Sequence, residues 1–229
     1  MSLCLLSTAT ETRQAAHAAK FTYDTDKYSF KKILEDLYGT PLEELHLWLG
    51  EFEKFERSND QLTLVHRVFY SNYERIFKKQ YESFINEVVK DIVKMPFAYQ
   101  KIPTFRIGLP GNRFVGEFHL DSHYHHPDFE LNFNVGLSNY KIPACLVSEP
   151  FPKSKKFEPI ECEYGELFSF NHIDCVHGAE LNSTNQTTVS FDFRLAMMPF
   201  YDENSATRKS VNMNSAFSVG DYFSSDIIN

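Results

Sequence analysis

The chain is short of positive charge: 23 Lys and Arg stand against 31 Asp and Glu in 229 residues, a formal net charge of −8. Nucleic acids and anionic membrane surfaces are held by an excess of Lys and Arg, so both partner classes are disfavoured and a small-molecule partner is expected. Cysteine is scarce as well. The four thiols, Cys4, Cys145, Cys162 and Cys175, form no C-x-x-C pair and no finger or ribbon spacing, and they read as reduced thiols of a cytoplasmic protein. Long apolar runs are missing. The N-terminal "SLCLL" is too short for a signal-peptide core, has no basic residue before it and runs into polar sequence. The N-x-[ST] matches at Asn182 and Asn185 are therefore taken as chance. No internal repeat or low-complexity linker divides the chain, and nothing in it specifies an oligomeric state.

What is abundant is core material. Hydrophobic residues make up 42% and aromatics 15%, with 22 Phe and 12 Tyr, enough to bury a large core and to exclude disorder for most of the length. The first part reads as helix. Gly39 closes a helix carrying Tyr28, Phe30, Ile33, Leu34 and Leu37, and "GTPLEEL" offers Thr40 as N-cap, Pro41 at the first helical position and Glu43 as the far side of a capping box. From about Asp60, apolar residues recur at helical spacing from Leu62 to Ile92, until Pro96 stops them. One long amphipathic helix is expected there.

Beyond Pro96 the period changes from 3.6 to 2. The segments "PTFRIGLP", "FVGEFHLD", "FELNFNVGL", "ACLVSE", "ELFSF" and "TTVSFDFRLAM" alternate, are rich in Phe and Val and are parted by Gly, Pro and Asn. At least six short strands follow a helical layer, which points to an antiparallel sandwich or barrel backed by helices on one side. The expected organisation is a helical region over 1–95, a β core over 96–201 and an irregular, partly mobile tail over 202–229.

Strand parity sorts the side chains. Phe129, Leu131, Phe133 and Val135 share one face and Glu130, Asn132 and Asn134 the other; Val189, Phe191, Phe193 and Leu195 oppose Thr188, Ser190, Asp192 and Arg194. The helices need the apolar faces. The polar faces then either meet solvent or line a cavity; the need of the helices for an apolar surface, and the shared strand face of His119 and Asp121, lean toward the cavity.

His119-Leu120-Asp121 places an imidazole and a carboxylate where both reach one ion. A third ligand comes from "FNHIDCVHGAELN", which supplies His172 and His177. Two His and one carboxylate leave three positions open, as in the non-haem Fe(II) oxygenases, for a bidentate 2-oxo acid and then O2. A competing pattern uses His123, His125 and Glu130 with His177 in a cupin-like site, although its glycine spacing from Gly116 is off by one on both flanks. His126 disturbs it further. A non-enzymatic β-barrel that binds a small ligand is the third possibility. His123, His125 and His126 are otherwise loop residues facing solvent or substrate, His172 a turn residue, and His46 and His66 surface residues of helices. Cys175 reads as packing, Glu117 and Asp128 as solvated carboxylates, and Asp174 and Asp192 as possible partners orienting a ligating histidine.

The run "PTFRIGLPGNRFVGEFHLDSHYHHPDFELNF", followed by "SEP", "HGAELN" and "VSFDFRL", resembles the 2-oxoglutarate- and Fe(II)-dependent oxygenases of the StrG type of streptomycin biosynthesis. The resemblance spans about residues 100 to 200. It implies a double-stranded β-helix (jelly-roll, cupin-like), with Fe(II) on His119, Asp121 and His177, 2-oxoglutarate as cosubstrate and O2 as oxidant. It also implies Arg194 for the far carboxylate of 2-oxoglutarate, since a guanidinium fork matches a carboxylate. Relatives often carry this arginine about ten residues after the distal histidine, where this chain has Thr188, Val189 and Ser190. Arg106 is therefore a rival. Asn132 is a candidate donor to the oxo-acid end and Ser190 a support for the distal carboxylate. Because Asp121 occupies the position that a halide-transferring member would need vacant, hydroxylation, desaturation or ring closure is the expected outcome. The resemblance implies a small metabolite as substrate, of a sugar or aminocyclitol type.

Overall fold

Eight consecutive residues, Thr188 to Leu195, alternate polar and apolar, and with Ala196 and Met197 they form the longest described strand and the spine of the molecule. The computed structural model describes residues 2–48, 61–113, 117–138, 140–210 and 215–229. Nine strands lie among them: β1 (Lys20–Thr22), β2 (Phe97–Tyr99), β3 (Thr104–Gly108), β4 (Glu130–Gly136), β5 (Leu146–Ser148), β6 (Glu158–Ile160), β7 (Glu166–Phe170), β8 (His177–Ala179) and β9 (Thr188–Met197). They make a six-stranded antiparallel sheet, five strands in the order β1-β7-β4-β9-β2 with β3 also paired to β9, and a three-stranded one in the order β6-β5-β8. β9 is long enough to serve two partners. Its first half pairs β3, with Arg106 opposite Ser190, and its last three residues pair β2.

The alternation predicted from the sequence sets both faces of the large sheet. Leu131, Phe133, Val135, Val189, Phe191, Phe193 and Leu195 are buried in one cluster with the helices. Phe191 meets Phe30 at 5.1 Å and Phe77 at 5.4 Å, and Phe193 stacks on Phe133 at 5.6 Å. Each fully buried Phe contributes about 1.5 to 3 kcal/mol over leaving it exposed. The opposite face is polar and equally buried. It looks across at the three-stranded sheet.

The structure corrects several sequence expectations. The long helix is a succession, Leu64–Ile76, Lys78–Phe84, a wider-wound Ile85–Val89 and Lys90–Ile92, broken where Phe77 takes φ −113°; the part of it at Asp60 lies outside the described residues. Pro41, not Thr40, precedes the next helical segment, a 3-10 turn over Leu42–Glu44 that runs into a one-turn α-helix at Leu45–Trp48, because its extended ψ of 143° ends the loop. Glu43 pairs with Lys31 at 2.6 Å rather than closing a capping box. Gly39 does end the helix Phe30–Tyr38, in the left-handed conformation at φ 68°. The expected strand through "FVGEFHLD" has no described counterpart beyond a single bridge at His119, and Phe114 to Gly116 lie outside the described residues. β1, β2, β5, β6 and β8 span three residues each, too few to show alternation by themselves, and of these only β5 falls in an expected segment, "ACLVSE".

The segment after Tyr201 is mostly irregular, apart from a short helix at Glu203–Ala206, yet it is packed. Phe217, Tyr222 and Phe223 are buried against Phe129 and Ala196, and Ile228 bridges to Phe97. No described helix is long and apolar enough to cross a membrane.

Candidate metal centre

His119 and His177 lie directly across an antiparallel bridge, each backbone N–H donating to the other's carbonyl at 3.0 Å. Partners in such a pair present their side chains on one side. Their rings stand 4.5 Å apart. Asp121 follows two residues later, but as the first residue of a 3-10 turn (Asp121–Tyr124) rather than on a strand; its N–H is anchored to the His172 carbonyl at 2.9 Å. The turn brings the carboxylate back between the rings. Oδ1 of Asp121 is 3.2 Å from His119 Nε2 and 3.4 Å from His177 Nε2.

The outer nitrogens define the chemistry of this triangle. Nδ1 of His119 reaches the Glu117 carbonyl at 2.8 Å, and Nδ1 of His177 reaches the Cys175 carbonyl at 3.1 Å. A carbonyl only accepts, so each Nδ1 carries the proton and each Nε2 presents a lone pair. Two lone pairs and a carboxylate oxygen then converge with no hydrogen among them, which is a donor set for a cation. Burial works to raise the Asp121 pKa, but hydrogen bonding to His119 and His177 and the charge of Arg194 outweigh it and hold the carboxyl well below its ordinary range; in the tautomers that leave both Nε2 lone pairs free, Arg194 is the partner that keeps it ionised. The group is ionised, as a ligand must be.

The polar faces of the large sheet close round this triangle. Arg106, Asn134, Asp192 and Arg194 from that sheet, with Leu146 and His177 from the smaller one, line a single cavity together with His119, Asp121, Tyr140 and Phe170. Arg194 donates to Asp121 Oδ2 at 2.9 Å and to Asp192 Oδ2 at 2.6 Å; Arg106 donates through Nε to Asp192 Oδ1 at 2.6 Å. Asn132 is fully buried on the same face with neither amide atom partnered, and Asn134 Oδ1 is unpartnered too. The amide of Asn134 approaches Ser190 Oγ at 3.4 Å. Buried polar atoms left in this state call for a ligand.

A second group lies beside the first. His126 Nδ1 is 2.7 Å and His172 Nε2 3.2 Å from the same oxygen of Glu130, and Asp121, His126 and His172 also fall within metal-ligating reach of one another. The sequence reading of His126 as a loop residue and His172 as a plain turn residue misses this. The inward parity of Glu130, with His126 four residues before it, was the available signal. Burial opposes the charge of Glu130, yet the two histidines bring its pKa down to about 2.

The cupin-like set does not assemble. His123 and His125 are exposed, His125 at the left-handed end of the 3-10 turn, and neither belongs to a cluster with Glu130 or His177; Gly116 lies outside the described residues. Asp174 pairs with Arg13 at 2.7 Å and Asp192 with the two arginines, so neither orients a histidine. His66 is fully buried and bonded to Thr63 at 2.7 Å, and half-buried His46 bonds Thr187 at 2.9 Å. Both were expected at the surface. Cys175 is buried packing, and all four cysteines are free.

No protein-family model matches the chain. The solved structure of SnoK, a non-heme alpha ketoglutarate dependent carbocyclase from nogalamycin biosynthesis, matches with a TM-score of 0.51 at 12% identity, covering 83% of this chain and 83% of SnoK. That likeness concerns the fold alone. SnoN, an epimerase of the same description and source, covers 81% of this chain and 80% of its own at a TM-score of 0.48 and 14% identity. In sequence, the streptomycin biosynthesis protein StrG of Streptomyces griseus is 30% identical over 209 residues, spanning 90% of this chain and 98% of StrG, and the chain belongs to the StrG family.

Proposed function

We propose that the protein is a non-haem Fe(II)- and 2-oxoglutarate-dependent oxygenase of a small metabolite, built on a double-stranded β-helix. The observation that carries this reading is the convergence of His119 Nε2, His177 Nε2 and Asp121 Oδ1, all acceptors, inside a cavity also lined by Arg106 and Arg194. Fe(II) and 2-oxoglutarate, when bound, supply activation of O2 at the cost of oxidising the oxo acid to succinate and CO2. The protein's own part is positioning. The Glu117 and Cys175 carbonyls fix the tautomers of His119 and His177, and Arg194 takes Oδ2 of Asp121, so the carboxylate meets the cation through one oxygen.

Arg106 is the better match for the far carboxylate of the cosubstrate. Arg194 is tied to Asp121 itself and sits beside the metal-facing groups, whereas Arg106 lies opposite Ser190, four residues further along β9, in the same cavity. A chelating oxo acid extends away from its metal, so the more distant guanidinium suits its other end. Asn132, Asn134 and Ser190 lie on the same buried face, and the unpartnered Nδ2 of Asn132 is a donor that fits a ligand's carboxylate or keto oxygen, whereas the unpartnered Oδ1 atoms of Asn132 and Asn134 only accept. Leu146 and Phe170 give the lining its apolar part.

The substrate class follows from kinship rather than from geometry: StrG is named for streptomycin biosynthesis, and a sugar- or aminocyclitol-type compound is proposed here on that ground. The decisive experiment is anaerobic loading with Fe(II) and 2-oxoglutarate, exposure to O2 and assay of succinate. Slow release of succinate is expected from the wild-type chain and none from His119→Ala, Asp121→Ala or His177→Ala, while His123→Ala and His125→Ala keep it. Loss in the last two with retention in Asp121→Ala would return the cupin-like assignment.

A further inference from the structure

Asp192 stands at the centre of a buried chain of four charges. Its Oδ2 accepts from Arg194 Nη1 at 2.6 Å and its Oδ1 from Arg106 Nε at 2.6 Å, and Arg194 continues through Nη2 to Asp121. The side chains of Asp121, Asp192 and Arg194 are only 5 to 7% exposed. Asp192 belongs to neither metal-ligating cluster and contacts none of the three candidate ligands. The register explains its place: it lies on β9 midway between Arg194 and Ser190, the residue paired with Arg106.

Two guanidinium groups in a low-dielectric interior repel each other, and one carboxylate with an oxygen for each is what lets them share the cavity. Each oxygen also fixes a direction. The bond to Nη1 turns the other arm of Arg194 onto Asp121 Oδ2, leaving Oδ1 to face the imidazoles. The bond to Nε anchors the Arg106 side chain short of its tip, where it lines the same cavity.

We propose that Asp192 is a positioning residue that serves two sites at once, orienting Asp121 for the metal through Arg194 and presenting Arg106 to the far carboxylate of the oxo acid. The proposal rests on the oxygenase reading above. Its consequence is that a single substitution shifts two binding constants that a merely structural residue would leave alone. The two shifts have separate routes. The metal constant moves through Arg194, and the oxo-acid constant moves through Arg106.

The test uses the full chain under anaerobic conditions, with Fe(II) affinity measured by competition against a chelating dye and 2-oxoglutarate affinity from the visible charge-transfer band of the chelate. Asp192→Asn is expected to raise the 2-oxoglutarate dissociation constant about tenfold and the Fe(II) constant about threefold, the scale of a lost charge-assisted hydrogen bond. Asp192→Glu, which keeps the charge but displaces it, is expected to fall between wild type and Asp192→Asn in both. In the Arg106→Lys background, Asp192→Asn is expected to add less than its full effect on 2-oxoglutarate, because both act through one group. Constants within roughly twofold of wild type in a folded Asp192→Asn chain, or fully multiplicative effects with Arg106→Lys, overturn the proposal. Should Asp192→Asn not fold, wild-type constants in Asp192→Glu overturn it equally. A wild-type chain that binds no Fe(II) overturns the oxygenase reading itself, an outcome distinct from wild-type binding that Asp192→Asn leaves unchanged.

Discussion

The guanidinium of Arg194 donates to Oδ2 of Asp121 at 2.9 Å, and this one bond decides which oxygen of the carboxylate is left for the two imidazoles. Both side chains are almost fully buried. Removing one partner of such a pair strands the other as an uncompensated charge, which costs about 3 to 5 kcal/mol. Arg194→Ala is therefore expected to lose stability on that scale in chemical denaturation of the metal-free chain. Equal midpoints without metal would contradict the account.

Arg106 and Arg194 are separated by their effects on the cosubstrate. Arg106→Ala is expected to weaken 2-oxoglutarate binding by about 1.5 to 3 kcal/mol, the range of a hydrogen bond to a charged group, while leaving Fe(II) affinity near that of wild type. Titration of the visible chelate band reads both. An unchanged 2-oxoglutarate constant in Arg106→Ala, with a large loss in a charge-conserving Arg194→Lys, would move the far carboxylate to Arg194.

The parts of this site that could be read from the sequence share one property: they depend on local spacing. The parity of "FELNFNV" and "TVSFDFRL" places Asn132, Asn134, Asp192 and Arg194 on a face turned from the helices, and the fold buries all four. His119, Asp121 and His177 come together as the H-x-D pair and the distal histidine led one to expect. What spacing could not supply was convergence at a distance. Glu130 and His172 lie 42 residues apart, and the pairing of Arg13 with Asp174 spans 161; nothing in either local pattern announces them. His66 is a different kind of miss. Its spacing to Phe69 and Tyr73 puts it on the buried stripe of its helix, so the helical phase itself contained the answer.

Glu130 makes the stability of the chain sensitive to acid. Its pKa is near 2 in the folded chain, against an ordinary 4.5, because His126 and His172 overcome the effect of burial. The folded state thus binds fewer protons, and the contribution is present above about pH 4.5 and lost as pH falls toward 2. The shift corresponds to something on the order of 3 kcal/mol. His172, lowered from 6.5 by burial, acts in the same sense at higher pH, favouring the fold above 6.5 and weakening it below. Unfolding free energy measured against pH should fall below about 6.5 and steepen below 4.5, and Glu130→Gln should flatten the steeper part. Parallel curves for the two chains would show that Glu130 is not the group responsible.

The account turns on where the metal sits, because two clusters of histidine and carboxylate lie side by side and share Asp121. Crystals of the chain grown anaerobically with Fe(II), measured on both sides of the iron absorption edge, locate the ion without reference to activity. The prediction is one anomalous peak per chain, about 2.0 to 2.2 Å from His119 Nε2, His177 Nε2 and Asp121 Oδ1. A peak bonded instead to Asp121, His126 and His172, with none between His119 and His177, would contradict it.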